Sequence, residues 1–361
     1  MPTNFIVLSD LHLGYELSVL SDPRAQDRMV AELAELCHGS TDRLILNGDC
    51  FEACIPRDAG RYDPLGFSPF MAETARSFFG KLTSKIAVES LVILWGNHDF
   101  ALWRRVAAAC GVKTYTNGTR GDVLLQHDGQ VMPGAEAFLR DVVGPTASSF
   151  ARIRSAYPNY VLGRYWPYLT FHHGHFLDDL IIGKDADAKY LGLRVLIGQG
   201  RPPVNVAGDE TVLSLHQKTE AFIATMWEYN SRAREVEWAI IRRGDARIVC
   251  PSYPAPPTPS LVLNPENFYD DLGKNVEWYV NVLMADDTTP PPISSSAMPS
   301  YLFVGHDHLG GSRDVVGMDG KPWRVVDTGG WTSDNQHAGL HCHATMWFED
   351  DERPTIYCLG V

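Results

Sequence analysis

The sequence predicts an α/β protein, and three observations support this fold class. Short apolar runs alternate with segments of helical periodicity over the first hundred residues. This alternation is typical of a largely parallel sheet with helices on its faces. Polar clusters follow directly after the apolar runs, which is the edge of the sheet where α/β proteins bind their ligands.

Three strands and two helices are predicted in this first part of the chain. Residues 4–9 are a short apolar run, which is typical of a buried strand. Residues 22–36 are predicted to be helical because Met29, Leu33 and Leu36 form one apolar stripe. The remaining elements are a strand at 43–47, a helix at 71–85 and a strand at 91–95.

Further strands are predicted much later, at residues 168–171 and 301–304. The segment between them contains two helical patterns, at 209–243 and 265–284, joined by a proline-rich connector. We therefore expect a discontinuous core and a mostly helical insertion that lies over the site. The core comprises residues 1–176 and 300–361, and the insertion comprises residues 177–299.

Composition narrows the class of protein. The chain has 361 residues, 45% hydrophobic and 21% charged, as in a globular protein with a sizeable core. A formal net charge of -13 makes nucleic acid an unfavourable main partner, because an acidic surface repels phosphates. No secretory signal or transmembrane run is apparent, and the seven cysteines are scattered. These features predict a cytoplasmic protein with reduced thiols.

Five of the predicted strands are followed by residues that can bind a divalent metal ion. Asp10 and His12 follow the first strand, and residues two apart in an extended segment point the same way. Gly48 permits a sharp turn after the second strand and places Asp49 at the carboxyl edge. The other three clusters, Gly-Asn-His-Asp, His-His-Gly-His and Gly-His-Asp-His, occupy residues 96–99, 172–175 and 305–308.

The five clusters carry more information together than singly. Any one of them could be a loop whose polar side chain bonds its own backbone. Five clusters in this order, each after an apolar strand, predict one shared metal site instead. Their mixed nitrogen and oxygen ligands suit manganese, iron or zinc.

This order of motifs resembles the calcineurin-like metallophosphoesterases over residues 5–175 and 301–332. The resemblance implies a β-sandwich flanked by helices, in four layers (α/β/β/α), and two divalent metal ions, with Mn²⁺ expected before Fe or Zn. It implies that the first ion is bound by Asp10, His12, Asp49 and His308. The second ion would be bound by Asp49, Asn97, His173 and His306.

The resemblance also implies roles for two candidate catalytic residues, His98 and Glu52. His98 would face the leaving oxygen of the substrate, and Glu52 would pair with this histidine and hold its ring. The implied reaction is hydrolysis of a phosphate ester by in-line attack of a hydroxide that bridges the two ions.

The histidine of the fourth motif is open to alternatives. We favour His173 because its neighbour Gly174 leaves room for a metal and a substrate. His127 also ends an apolar run, although a surface turn is its more ordinary interpretation. His172 or His175 would replace His173 if the register differed.

Two further segments have ordinary structural interpretations. His341 and His343 share one face of a predicted strand near the terminus, where we expect structural residues rather than a metal clip. Residues 327–331 follow another strand and are expected to shape the wall of the pocket.

The substrate is expected to be a small-molecule phosphate ester. The first two motifs are most similar to the UDP-diacylglucosamine pyrophosphohydrolases, but those enzymes carry arginine where His98 stands, so only the chemistry is carried over. We expect a phosphodiesterase or pyrophosphohydrolase. A phosphomonoesterase is the alternative, although Ala53 stands where protein phosphatases place an arginine. A DNA nuclease and a metal-free scaffold are further alternatives.

The aromatic residues of the insertion either pack its helices or form a lid.

Overall fold

The computed structural model describes parts of the chain that include the ends of five predicted strands. The predicted insertion at 177–299 lies outside the described residues, as do His175, Asp307, His308 and His341. Among the helices that are described, none is long and apolar enough to span a bilayer. The described residues are 4–15, 18–53, 68–99, 102–103, 106, 126–127, 140, 143–157, 159–162, 169–174, 300–306, 311–316, 322–331, 343–347 and 354–359.

The described elements are strands for the most part, with two α-helices near the amino terminus. The helices are α1 (Pro23–Leu36) and α2 (Pro69–Lys85), and short 3-10 helices lie at Val19–Ser21 and Gly144–Ser149. The strands are β1 (Phe5–Leu8), β2 (Ser40–Asn47), β3 (Ala87–Leu94), β4 (Gln126–His127), β5 (Arg152–Ala156), β6 (Asn159–Leu162), β7 (Leu169–His172), β8 (Ser300–Val304), β9 (Gly311–Val316), β10 (Pro322–Asp327), β11 (His343–Trp347) and β12 (Thr355–Cys358).

The strands form two mixed sheets, so the predicted α/β class is confirmed. The first sheet has the order β12-β11-β1-β2-β3-β5, and β1, β2, β3 and β5 run parallel. The second sheet has the order β4-β6-β7-β8-β10-β9, in which β7 and β8 are parallel neighbours. Parallel neighbours end at the same edge of a sheet, so the segments after β1, β2 and β3 lie side by side.

The two sheets pack face to face through an aromatic core. Phe5 of β1 contacts Phe171 of β7 edge to face, with ring centroids 5.5 Å apart. Phe171 in turn stacks on Phe303 of β8 at 4.7 Å. The opposite face of the first sheet is covered by α1 and α2, and the opposite face of the second sheet is also buried, at Leu302 and Val325.

The helices begin where their capping residues dictate. Asp22 accepts the backbone N–H of Arg24 at 2.9 Å, and Pro23 occupies the first turn of α1. Ser68 accepts the backbone N–H of Met71 at 3.0 Å, so α2 begins at Pro69, two residues before the predicted start.

Two strands begin earlier than predicted. β2 starts at Ser40 rather than residue 43, and β3 starts at Ala87 rather than residue 91. Their first halves mix exposed or half-buried side chains with buried ones, whereas their second halves are buried throughout. A continuous apolar run in the sequence therefore predicts only the buried half of each of these strands, which is the half that leads into the site.

Candidate metal centre

The segments after β1 and β2 are joined by backbone hydrogen bonds. The N–H of Asp10 donates to the carbonyl of Gly48 at 3.0 Å, and that of His12 donates to the carbonyl of Asp49 at 2.9 Å. This pairing runs on as far as the bridge between Leu13 and Phe51. The first and second motifs therefore form one rigid edge that carries Asp10, His12 and Asp49.

The backbone is strained at four of the candidate ligands. Asp10, His12, Asp49 and His306 have φ angles of 53°, 45°, 48° and 79°, in the left-handed region. Only His38, among the other described non-glycine residues, shares this conformation. Left-handed backbone costs a non-glycine residue roughly 1–3 kcal/mol and is concentrated at functional sites.

The fourth motif brings His173 from the second sheet into contact with the first. Its Nδ1 atom donates to the carbonyl of Asn47 at 3.1 Å, because a carbonyl can only accept. Its Nε2 atom faces Asp49 Oδ2 and Asn97 Oδ1, each at 3.1 Å. His173 therefore joins the second and third motifs in one cluster.

The fifth motif reaches the same point from β8. The backbone N–H of His306 donates to the carboxylate of Asp10 at 3.0 Å, and that of Gly305 donates to the carbonyl of His173 at 2.7 Å. A Cβ atom at Gly305 would collide with the Asp10 carboxylate and the Ser9 hydroxyl. Glycine at this position therefore lets the two sheets approach closely enough to share ligands.

The candidate ligands form two overlapping sets. Donor atoms of Asp10, His12 and Asp49 lie within 4.8 Å of one another, and so do donor atoms of Asp49, His173 and His306. Asp49 belongs to both sets, as a bridging ligand would. Asn97 lies beside His173 in the second set. Six of the seven predicted ligands are thus brought together; the seventh, His308, lies outside the described residues.

The cluster stabilises positive charge. Burial disfavours the ionised carboxylate of Asp49, but His173 and His98 outweigh burial and hold the pKa of Asp49 well below its usual value. Burial would lower the pKa of His173, but the carboxylates of Asp49 and Asp10 raise that pKa to about 9. A buried site whose carboxylates stabilise a protonated imidazole would also stabilise a bound metal cation.

The candidate catalytic residues lie beside the first set of ligands. The buried Glu52 carboxylate contacts His98 Nδ1 at 3.0 Å through Oε2, which is the expected pairing, and the same oxygen contacts His12 Nδ1 at 2.9 Å. Burial would raise the pKa of Glu52, but the His98 and His12 imidazoles lower it to about 2. His98 is half-buried, and its backbone N–H donates to Asp49 Oδ1 at 2.8 Å.

The motif-based prediction missed Asn47, the last residue of β2. Its side-chain Nδ2 donates to the carbonyls of His172 and Phe303, each at 3.2 Å. One amide therefore joins the first sheet to two strands of the second. A signal was present in the sequence, since a polar residue that ends an apolar run and is buried needs hydrogen-bond partners.

The motif-based prediction also assigned no role to Asp99. This buried carboxylate accepts backbone N–H groups from Phe51 at 2.8 Å, Cys50 at 3.2 Å and Gly96 at 3.3 Å. Burial and the nearby Asp49 carboxylate raise the pKa of Asp99 to about 8, against the effect of these donors. Asp99 thereby ties the segment after β2 to the segment after β3.

We expect Asp99→Ala to lower the free energy of unfolding by about 3 kcal/mol, because it leaves buried N–H groups without an acceptor. Chemical denaturation monitored by tryptophan fluorescence measures this change. Asp99→Asn is the matched control, since its carbonyl can still accept from Phe51 and its loss should be smaller. Equal denaturation midpoints for wild type and Asp99→Ala would contradict this role.

Two of the competing histidines, His127 and His172, lie elsewhere, and the third, His175, lies outside the described residues. His127, which we interpreted as a turn residue, is instead the last residue of β4, because it pairs with Val161 of β6. β4 is an edge strand, separated from β7 by β6. His172 ends β7, and its Nδ1 atom accepts the N–H of Gly174 at 2.9 Å. Of the described histidines in the fourth motif, it is thus His173 that faces Asp49 and Asn97.

The segment after β10 lies against Asp10, whereas its expected role in the wall of a pocket stays a prediction. The Thr328 hydroxyl bonds that of Ser9 at 2.6 Å, and the N–H of Trp331 donates to the carbonyl of Asp10 at 3.1 Å. His343 is the first residue of β11, which agrees with the expected structural strand.

No protein-family model matches this chain, and neither does any curated protein. What the site can do therefore follows from its own residues.

Proposed function

We propose that this protein is a binuclear-metal-dependent hydrolase of phosphate esters, of the calcineurin-like metallophosphoesterase type. The observation that carries the proposal is the pair of ligand sets that share Asp49 where the two sheets meet. Two ions that share one carboxylate lie close enough to act on one phosphoryl group.

The residues fit such a pair of ions. Carboxylate, amide and imidazole donors suit Mn²⁺, with Fe or Zn as alternatives. The site gathers the buried acidic groups Asp10, Asp49 and Glu52, whose charge divalent cations would neutralise. We propose that Asn97 completes the second set and that His308 completes the first, as the resemblance implies.

The ions, when bound, would polarise the phosphoryl oxygens and make water a stronger nucleophile. The remaining roles belong to the side chains. Asn97, His98 and His306 are half-buried, whereas Asp10, His12 and His173 are buried. An ester therefore approaches from the side of the half-buried residues. With its Nδ1 held by Glu52, His98 presents Nε2 to the leaving oxygen, where it donates a proton or stabilises charge.

We propose the same family arrangement for the layers outside the two sheets. Burial of both faces of the second sheet supports a four-layer arrangement, with α1 and α2 as one outer layer. The insertion at 177–299 is proposed as the helical cap over the site. Cys37 and Cys50 are buried free thiols, which supports a reducing, cytoplasmic location.

The favoured substrate is a small phosphodiester or pyrophosphate. Ala53 is buried directly after Glu52, at the position where protein phosphatases carry an arginine. An arginine there would bind the extra charge of a monoester dianion, so its replacement by alanine favours a diester with one charge fewer. A phosphomonoesterase is the alternative activity.

The test combines metal content with two model substrates. After reconstitution with Mn²⁺, we expect close to two ions per chain by elemental analysis, and faster hydrolysis of bis-p-nitrophenyl phosphate than of p-nitrophenyl phosphate. The same preparation stripped with EDTA is the control. A chain that binds no metal would end the proposal. Preference for the monoester would overturn the diester assignment alone.

A further inference from the structure

Glu52 is placed between two imidazoles rather than beside one. Its Oε2 atom lies 2.9 Å from His12 Nδ1 and 3.0 Å from His98 Nδ1, and Oε1 lies 3.1 Å from the latter. The two rings are perpendicular, with centroids 4.8 Å apart. The sequence resemblance accounts for the contact with His98 and gives no reason for the contact with His12.

The contacts determine which ring nitrogens carry protons. A carboxylate can only accept hydrogen bonds, and both contacts are made through Nδ1, so both Nδ1 atoms donate. The neutral form of each ring then carries its lone pair on Nε2. For His12, Nε2 is therefore the atom that remains for a metal ion.

The backbone holds the carboxylate in this position. The N–H of Glu52 donates to the carbonyl of Leu13 at 2.9 Å, one residue beyond His12. Leu13 and Phe51 also form a bridge, so the residues that flank His12 and Glu52 are paired. The distance between the carboxylate and the His12 ring is therefore set by the edge that carries the ligands.

We infer that Glu52 is a positioning residue for the metal ligand His12 as well as for His98. Hydrogen-bonded partners that orient a ligating histidine typically contribute about 10- to 100-fold to metal affinity. One carboxylate would then support two properties of the site, the occupancy of the first ion and the orientation of the group that faces the leaving oxygen. This inference rests on the proposed function.

The test separates the two contacts by removing His98 first. In the full chain carrying His98→Ala, only His12 remains as a partner of Glu52. Two substitutions of similar volume are then compared in this background, Glu52→Leu, which has no acceptor, and Glu52→Gln, which keeps a carbonyl. The probe is Mn²⁺ alone, added to EDTA-stripped protein and followed by electron paramagnetic resonance of the free ion.

We expect His98→Ala to bind Mn²⁺ about as tightly as wild type, and Glu52→Leu in that background to lose about 10- to 100-fold in affinity. Glu52→Gln should recover most of the loss, because its carbonyl can accept from His12 Nδ1. Equal affinities for His98→Ala with and without Glu52→Leu would overturn the inference. Failure of Glu52→Gln to recover affinity would overturn it too, because the loss would then follow the negative charge of Glu52 and not its hydrogen bond to His12.

A second measurement needs no change at Glu52. In the Zn²⁺-loaded chain with ¹⁵N-labelled histidine, His12 should show a slowly exchanging Nδ1 proton that persists in His98→Ala. His12→Gln assigns the signal. A His12 ring without that proton would overturn the inference. If the wild-type chain binds neither ion, the proposed function itself fails, which is distinguishable from a chain that binds metal but does not depend on Glu52.

Discussion

Asp49→Asn is expected to lower phosphodiester turnover by at least about a thousandfold while the chain still folds. Asp49 belongs to both ligand sets, and its two oxygens face different partners. Oδ2 faces His173 Nε2 at 3.1 Å, and Oδ1 accepts the His98 N–H at 2.8 Å. An amide has one acceptor oxygen and no charge, so it cannot join two cations.

The matched control for this variant is Asp27→Asn, the same chemical change on α1. The Asp27 side chain is 61% exposed and forms an ion pair with Lys81 at 2.7 Å. Exposed pairs of this kind contribute little, so activity should stay at the wild-type level. Steady-state assays measure the turnover of both variants, and elemental analysis measures their metal content. An Asp49→Asn protein that kept a tenth of wild-type turnover would refute a bridging role.

Gly96→Ala is expected to have the second-largest effect, a loss of about a hundredfold or more in turnover, because small displacements of reacting groups cost that much. A Cβ atom at Gly96 would collide with Asp49 Oδ1. It would also lie 2.6 Å from the Asp49 backbone nitrogen and 2.7 Å from His173 Cδ2. Both ligand sets would be displaced by one methyl group. Metal affinity should therefore fall together with turnover.

Gly80→Ala provides the control, since the same methyl group there meets only Thr146 Cγ2 at 3.9 Å. Gly80 lies within α2, so the substitution should raise stability by roughly 0.5–1 kcal/mol and leave metal binding unchanged. Thermal unfolding and Mn²⁺ titration of both variants make the comparison. If Gly96→Ala bound Mn²⁺ as tightly as Gly80→Ala, the close packing around Asp49 would not be needed for metal binding.

The sequence was sufficient to predict the strands that lead into the site. β1, β2, β3, β7 and β8 are buried along the residues that precede each motif, and burial leaves a contiguous apolar run. The motif positions follow from these runs, since each cluster begins within two residues of a strand end. The starts of β2 and β3 were less predictable because exposed residues interrupt the pattern there.

The contacts that hold the motifs together could not be predicted from apolar runs. Asn47 donates to Phe303, 256 residues away, and Asp99 accepts from Phe51, 48 residues away. Neither pair leaves a local periodicity. The link between Glu52 and His12 likewise depends on the pairing of two segments 40 residues apart. Such contacts depend on how distant segments pair and how the two sheets pack, which no single segment encodes.

The surroundings of Asp10 have a consequence for how the protein is made. Synthesis reaches this residue long before its partners, yet its carboxylate accepts the N–H of His306 and its carbonyl accepts the N–H of Trp331. β1 also pairs with β11, with Phe5 opposite Trp347. The surroundings of Asp10 are therefore complete only after synthesis has passed those distant residues, so a metal ion that needs the whole proposed site would bind late. Until β11 has been made, the edge of β1 that pairs with it lacks its partner strand.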